Sequence, residues 1–179
     1  MPAHCSVGLV WLLARHGTRN PSSEDMQAMA TRLPKLRDNI VAAWEDGITG
    51  LDSKQVEALK EWRWEKEGQE ENILTSSGHL EHWSLGRRFR DRLSDVGFHI
   101  NLNDNQTRVS SSNKQRARAS AESFLDGLQG IPWSSNGQNI SGEDYQFRYP
   151  DIDIDNHLLR YYDFCPKYQN EVGQRNAID

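Results

Sequence analysis

The sequence predicts an α/β fold with a partly parallel sheet flanked by helices, and three observations predict it. Residues 7–14 form a continuous apolar run, and continuous rather than alternating hydrophobicity marks a strand buried on both faces. That run stops at Arg15-His16-Gly17-Thr18-Arg19-Asn20-Pro21, where Gly17 and Pro21 signal a turn. A second short strand, residues 107–110, leads through Ser111 and Ser112 into a helical pattern over residues 114–128. Strand, loop, then helix is the α/β arrangement in which ligands gather at the carboxyl ends of strands.

The remaining elements follow in order. Ser22 or Ser23 caps a helix starting near Glu24, with Asp25 favourable in its first turn. Pro34 is expected to break or restart it, after which Ile40, Val41 and Trp44 recur at helical spacing. A surface helix is expected over residues 53–67, stopped by Gly68. Thr75-Ser76-Ser77 offers a cap for a helix over residues 78–93, with Leu85, Phe89 and Leu93 as its apolar stripe. In the helix after the second strand, Ala117, Ala121, Phe124 and Leu128 share a face, and Gly130 and Pro132 close it. Residues 131–155, rich in Gly, Ser, Asn and Asp, read as loop; residues 156–173 read as helix interrupted by Pro166.

Composition narrows the function classes. The chain has 179 residues, 36% of them hydrophobic, with mean hydropathy −0.82. Six Trp, five Tyr and five Phe argue for a folded chain, since disordered chains are poor in aromatics. The scarcity of apolar residues points to a thin core or a piece of a larger fold. Net charge is −5, from 21 basic and 26 acidic residues, which gives no general reason to bind nucleic acid or membrane. The clusters Arg87, Arg88, Arg90 and Arg92, and Glu61, Glu65, Glu67, Glu70 and Glu71, read as solvated helix faces. Residues 7–14 are too few to cross a bilayer and lack the flanks of a signal peptide. Cys5 and Cys165 are too few for a disulfide framework and have no metal-ligand spacing. Sequons occur at Asn105 and Asn139, while Pro21 excludes Asn20.

Residues 15–21 carry the chemistry. A histidine stands between two arginines at a strand end, and Gly17 lets a ligand approach the backbone closely. Arginine suits bidentate phosphate binding, so the combination fits a phosphate pocket with histidine attacking phosphorus. The bland alternative is a charged loop whose histidine packs at a strand end.

Arg-His-Gly-x-Arg-x-Pro resembles the signature of the histidine acid phosphatases. Five specified residues at about 5% each make a chance match in a chain of this length rarer than about 1 in 10,000. The resemblance extends to residues 109–128, where Arg116 stands four residues before Ser120 and matches the family's further phosphate-binding arginine; Arg118 is the nearby alternative, with the blander reading of an exposed helix residue. It also extends to Leu74-Thr75-Ser76-Ser77-Gly78-His79-Leu80-Glu81, a segment whose role in the family is mainly structural, so Glu81 is assigned no chemistry. His79, His82, His99 and His157 have no partner pattern and read as surface or core. Within the family, residues 12–21 and 158–165 look closest to the multiple inositol polyphosphate phosphatases.

The resemblance implies a phosphoglycerate-mutase-like core. Residues 1–130 would be its N-terminal part and residues 131–179 the start of an inserted, mostly helical cap, the C-terminal half being missing from this sequence. It implies His16 as nucleophile, forming a phosphohistidine, with Arg15, Arg19 and Arg116 binding the phosphate. It implies no cofactor or metal. Substrates would be inositol polyphosphates, including inositol hexakisphosphate, and 2,3-bisphosphoglycerate, in the endoplasmic reticulum lumen or outside the cell. The family's general acid lies in a later His-Ala-Glu or His-Asp pair, and no histidine here is followed by either; an acid typically contributes 10²–10⁴-fold. A chain that binds phosphate or inositol phosphates without turnover is therefore the alternative. Cys5 matches a cysteine that pairs with a late one in the family; a Cys5–Cys165 bond also stays open.

Overall fold

The computed structural model describes residues 6–65, 69–102, 107–133 and 151–172. Cys5 and the sequon asparagines Asn105 and Asn139 lie outside them. The chain divides into two compact units, one made of Met1–Arg19 with Leu74–Asp179, the other of Asn20–Ile73.

The Asn20–Ile73 unit is a pair of helices. The first, α1, spans Ser23–Glu45, and the Ser22 hydroxyl accepts the Asp25 N–H at its start. Pro34 lies inside α1 and does not break it as expected. One missing donor is a single lost bond in a 23-residue helix, and the capped start and packed far end hold the rest. The second helix, α2, spans Ser53–Glu61 and opens with a reciprocal capping box between Asp52 and Gln55. It stops short of the expected residue 67. Trp62 turns extended, and Arg37 and Arg63 guanidinium groups take the carbonyls of Trp62 and Lys60 that a further turn would use. Val56 of α2 is fully buried. Trp44 closes the inter-helix turn by donating its indole N–H to Leu51, while Lys60 sits 5.7 Å over its ring. The ends of this unit meet through Asn20 N–H to Ile73 carbonyl and Asn72 N–H to Pro21 carbonyl.

The other unit holds α3 (Ser76–Asp95), β1 (Val109–Ser111), α4 (Gln115–Gln129), β2 (Ile152–Ile154), α5 (Asn156–Leu159), a 3-10 helix (Tyr161–Phe164) and α6 (Pro166–Glu171). Strands β1 and β2 pair in parallel, Val109 with Ile152 and Ser111 with Ile154, so the sheet is parallel as expected. β2 falls in a segment expected to be loop. The apolar cluster of Leu102, Leu125 and Leu128 sits between the sheet and the helices, with Phe89, Ile100, Val109, Phe124 and Ile152 packed on it. The expected helix over residues 156–173 is three short pieces, with Pro166 starting the last.

The expected first strand is the clearest departure. Residues 7–14 form no ladder, and Leu9, Trp11 and Leu13 are 85%, 78% and 62% exposed. A strand buried on both faces needs paired neighbours and covering helices. Among the described residues the only ladder is the three-residue β1–β2 pair, so the run stays extended without a partner.

Helices α3 and α4 pack backbone against backbone. A methyl added at Gly86 would overlap the Phe124 carbonyl, and one at Gly127 would overlap the Trp83 carbonyl. The most buried seam of α3 is therefore Gly78, His82 and Gly86, not the larger Leu85–Phe89–Leu93 stripe. Gly130 ends α4 in the left-handed region at φ 82°, the conformation glycine adopts without cost.

Gly127→Ala should destabilise the protein by about 1–3 kcal/mol, the usual range for overpacking, measured by urea unfolding. Gly50→Ala, which meets open space, should stay within about 0.5 kcal/mol of wild type.

Candidate active site

The loop that carries His16 is held by two helices. The Gly17 backbone lies against the first turn of α3 so closely that a methyl on Gly17 would overlap the Gly78 carbonyl, and one on Gly78 would overlap the Thr18 carbonyl. Hydrogen bonds fix this approach. The Thr75 amide and hydroxyl both donate to the Thr18 carbonyl at 2.9 Å, and the same hydroxyl accepts from Gly78 to cap α3. Glu81, expected to act structurally, takes the Thr18 amide at 2.9 Å and its hydroxyl at 2.6 Å. These bonds hold the Glu81 carboxyl below its ordinary range.

Helix α4 holds the loop from the other side. The Gly17 amide donates to Ser120 Oγ at 3.0 Å, and that hydroxyl donates in turn to the Arg116 carbonyl at 2.7 Å. Gln115 Oε1 accepts from Leu74 N–H. Beneath the loop, the buried His82 donates from Nε2 to the Arg15 carbonyl at 3.0 Å. His79 donates from Nδ1 to Ser123 Oγ at 2.8 Å, and Ser123 passes its own hydrogen to Ala119. Burial is the first cause lowering the pKa of both histidines, so each serves as a neutral strut. His157 stacks on Phe164 at 4.2 Å, and His99 lines a cleft away from the loop.

The partners of His16 define its tautomer. Nδ1 lies 2.8 Å from the Gly17 carbonyl, which can only accept, so Nδ1 carries the hydrogen. Nε2 lies 3.1 Å from Nε of Arg116, which can only donate. Nε2 therefore keeps its lone pair, directed at the guanidinium where an anion would sit.

Arg116 is half-buried. Its pKa lies below the ordinary arginine value, first through burial and then through the positive fields of Arg19 and Arg160, with Arg15 adding less. Arg19 and Arg15 therefore lie within electrostatic reach of Arg116. Arg118 is turned away; it pairs with Glu122 at 3.1 Å on the exposed face, its side chain 65% accessible. The supports Gly78, His82, Ser120 and Ser123 were not singled out as a group from the sequence. The signal was there as small or polar residues at three- and four-residue spacing on two helices.

Two clefts lie away from the loop. One of about 320 Å³ is lined by Phe98, Ile100, Leu102 and Leu128, and one of about 250 Å³ by Arg37, Val41, Glu45 and Lys60. Among the described residues, no group of three or more His, Cys, Asp or Glu is placed to hold a metal ion, and no helix is long and apolar enough to cross a membrane.

One buried acid on α4 stands apart from this network. Asp126 is 1% exposed, and neither carboxyl oxygen meets a hydrogen-bonding partner among the described residues. Burial, with a smaller contribution from Glu122, raises its pKa from 3.8 to about 7.

Comparison with known proteins points the same way. The profile of the histidine phosphatase superfamily (branch 2) matches residues 7–178. The chain is similar to multiple inositol polyphosphate phosphatase 1 of Drosophila melanogaster, 26% identical over 173 residues covering 93% of this chain and 34% of that protein. It is similar to phytase A of Aspergillus terreus, 28% identical over 129 residues, 72% of this chain and 24% of that protein. A thiamine-repressible acid phosphatase of Schizosaccharomyces pombe is 24% identical over 183 residues, 99% of this chain and 37% of that protein. The chain thus spans between about a quarter and somewhat over a third of the length of these relatives.

Two measurements check this site. Nitrogen-15 spectra of histidine-labelled protein should show the neutral His16 ring carrying its hydrogen at Nδ1 and none at Nε2; the opposite tautomer would contradict the Arg116 contact. Because its pKa is raised from 3.8 to about 7, the buried Asp126 carboxyl keeps its proton in the fold where the unfolded chain would release it, so it destabilises the fold progressively as the pH rises from about 4 to about 7. Asp126→Ala should therefore gain in melting temperature relative to wild type as the pH rises from 4 to 7. A constant difference across that range would mean Asp126 titrates normally.

Proposed function

Because the chain belongs to the histidine phosphatase superfamily, branch 2, we propose that it acts on inositol polyphosphates, removing phosphate through a phosphohistidine on His16. The observation that carries this reading is the pairing of His16 Nε2 with Arg116 Nε at 3.1 Å, while Nδ1 is tied to the Gly17 carbonyl. That geometry makes Nε2 the basic nitrogen and sets it beside a guanidinium; a phosphoryl group entering between them would take over the Arg116 donor and leave the lone pair free for in-line attack.

In the reaction, Nε2 forms a bond to phosphorus as the ester P–O bond breaks. Arg15, Arg19 and Arg116 neutralise the three non-bridging oxygens as charge develops on them. The departing alkoxide takes a proton from an acid. Water then attacks the phosphohistidine, releases orthophosphate and restores the imidazole. The arginines supply the neutralisation, so the proposal requires no cofactor. Inositol hexakisphosphate is the leading substrate, since the relatives matched include one named for inositol polyphosphates and one named phytase; 2,3-bisphosphoglycerate is a further one. On the same reading residues 131–179 begin an inserted cap, and the protein resides in the endoplasmic reticulum lumen or outside the cell.

A second reading is a binder that holds inositol phosphates without turning them over. Its support is that the site is built of anion-binding groups, with the Arg116 guanidinium set against His16 Nε2 at 3.1 Å, which would hold a phosphate whether or not it is cleaved.

Purified protein should release orthophosphate from inositol hexakisphosphate at mildly acidic pH, and His16→Ala should abolish release. Arg116→Ala should lower it roughly 10²–10³-fold, the cost of one donor to developing charge, and far more than Arg118→Ala. Release by His16→Ala at the wild-type rate would sink the proposal. Binding in a titration, with no phosphate from either protein, is the result the second reading predicts.

A further inference from the structure

A further arginine, Arg160, lies within electrostatic reach of Arg116. Strands β1 and β2 run in parallel, so their carboxyl ends lie at the same edge. Two hydrogen bonds tie the segments that leave that edge, from Asp155 N–H to the Ser111 carbonyl and from Asn113 N–H to Asn156 Oδ1, both at 3.0 Å. Arg116 follows Asn113 on the first turn of α4, and Arg160 follows Asn156 at the end of α5. The two guanidinium groups therefore hang from joined backbone segments.

Arg160 is pre-positioned. Its Nε and Nη2 both reach Asp163 Oδ2 at 2.6 Å, and its guanidinium lies 5.5 Å over the Tyr162 ring. Its side chain is 18% exposed. A guanidinium has five N–H groups; Asp163 takes two, which leaves three for a ligand. Arg160 and Tyr162 are both felt by Arg116, and Lys114 is felt by Asp163, in keeping with the backbone ties.

One phosphoryl group offers three non-bridging oxygens, and Arg15, Arg19 and Arg116 already match them. A fourth cation held by an orienting carboxylate and a stacking ring is surplus to that group. Its side chain is also costly to order, and exposed ion pairs alone contribute little to stability. A substrate with further phosphates would use it.

We infer that Arg160, oriented by Asp163 and Tyr162, is a specificity-determining residue that binds a second phosphate of the substrate, one that is not being transferred. The inference rests on the phosphatase reading of the His16 site. The ligand class is a small molecule with phosphates on adjacent carbons, rather than a simple monoester.

The test compares inositol hexakisphosphate with phenyl phosphate. In Arg160→Ala, the ratio of kcat/KM for the first to that for the second should fall about tenfold to a hundredfold, the effect of a charge-assisted hydrogen bond, with most of the change in KM. Arg160→Lys should recover part of the ratio, as a point charge without the fork. Arg118→Ala should leave the ratio at the wild-type value. An unchanged ratio in Arg160→Ala, with both substrates still hydrolysed, would overturn the role of Arg160 and leave the phosphatase reading standing. If wild-type protein hydrolyses neither substrate, the phosphatase reading fails, and titration decides about Arg160 on its own. A tenfold weaker affinity for inositol hexakisphosphate, beside a smaller change for inorganic phosphate, then supports the second-phosphate site; equal weakening of the two overturns it. Thermal unfolding of each variant separates loss of fold from loss of binding.

Discussion

Backbone contact between α3, α4 and the His16 loop is the constraint on which the site depends. Gly86 and Gly127 bring the two helices together, and Gly17 and Gly78 seat the loop on the first turn of α3. No side chain separates the surfaces at these points, so small shifts cannot be absorbed by rotamer changes. The reward is position. Ser120 on α4 and Glu81 on α3 reach the loop from opposite sides, and the imidazole is placed relative to Arg116 as a consequence of helix packing.

The hydrogen bonds around this contact form a relay of defined polarity. Ser120 accepts from Gly17 and donates to the Arg116 carbonyl; Ser123 accepts from His79 and donates to Ala119. Each hydroxyl uses its one hydrogen inside α4 and offers its lone pair to the neighbour. Such hydroxyls satisfy the buried polar groups of the seam where an apolar side chain would leave them unpaired. Two histidines complete the layer as neutral donors, because burial disfavours their charged form.

The pKa of Arg116 is lowered first by burial and then by the fields of Arg19 and Arg160, an electrostatic cost of placing guanidinium groups near one another. Asp163 offsets part of the repulsion at Arg160 and aims it at the same time.

Much of the candidate site was legible because it is local. A histidine between arginines, followed by glycine and proline, declares a tight cationic turn within seven residues, and turn chemistry needs no knowledge of distant partners. The cap residues Ser22, Asp52 and Thr75 likewise determine helix starts by themselves. The seam between α3 and α4 was not legible in this way. A search for large apolar residues finds Leu85, Phe89 and Leu93, whereas α4 is approached most closely at Gly86, and the buried Gly78 and His82 of the same helix meet the His16 loop instead. Residues 7–14 show the opposite failure: their hydrophobicity is plain, but a strand exists only with a partner, and the sequence does not say which segment pairs. Arg116 and Arg118 differ by two positions, and on a helix of about 3.6 residues per turn that places them on opposite sides. The sequence by itself determined the chemistry available to this protein, the residue types in the loop and the helices that follow. Only the tertiary structure decided which arginine meets His16 and which nitrogen keeps its lone pair, because both depend on contacts between residues about one hundred positions apart in the chain.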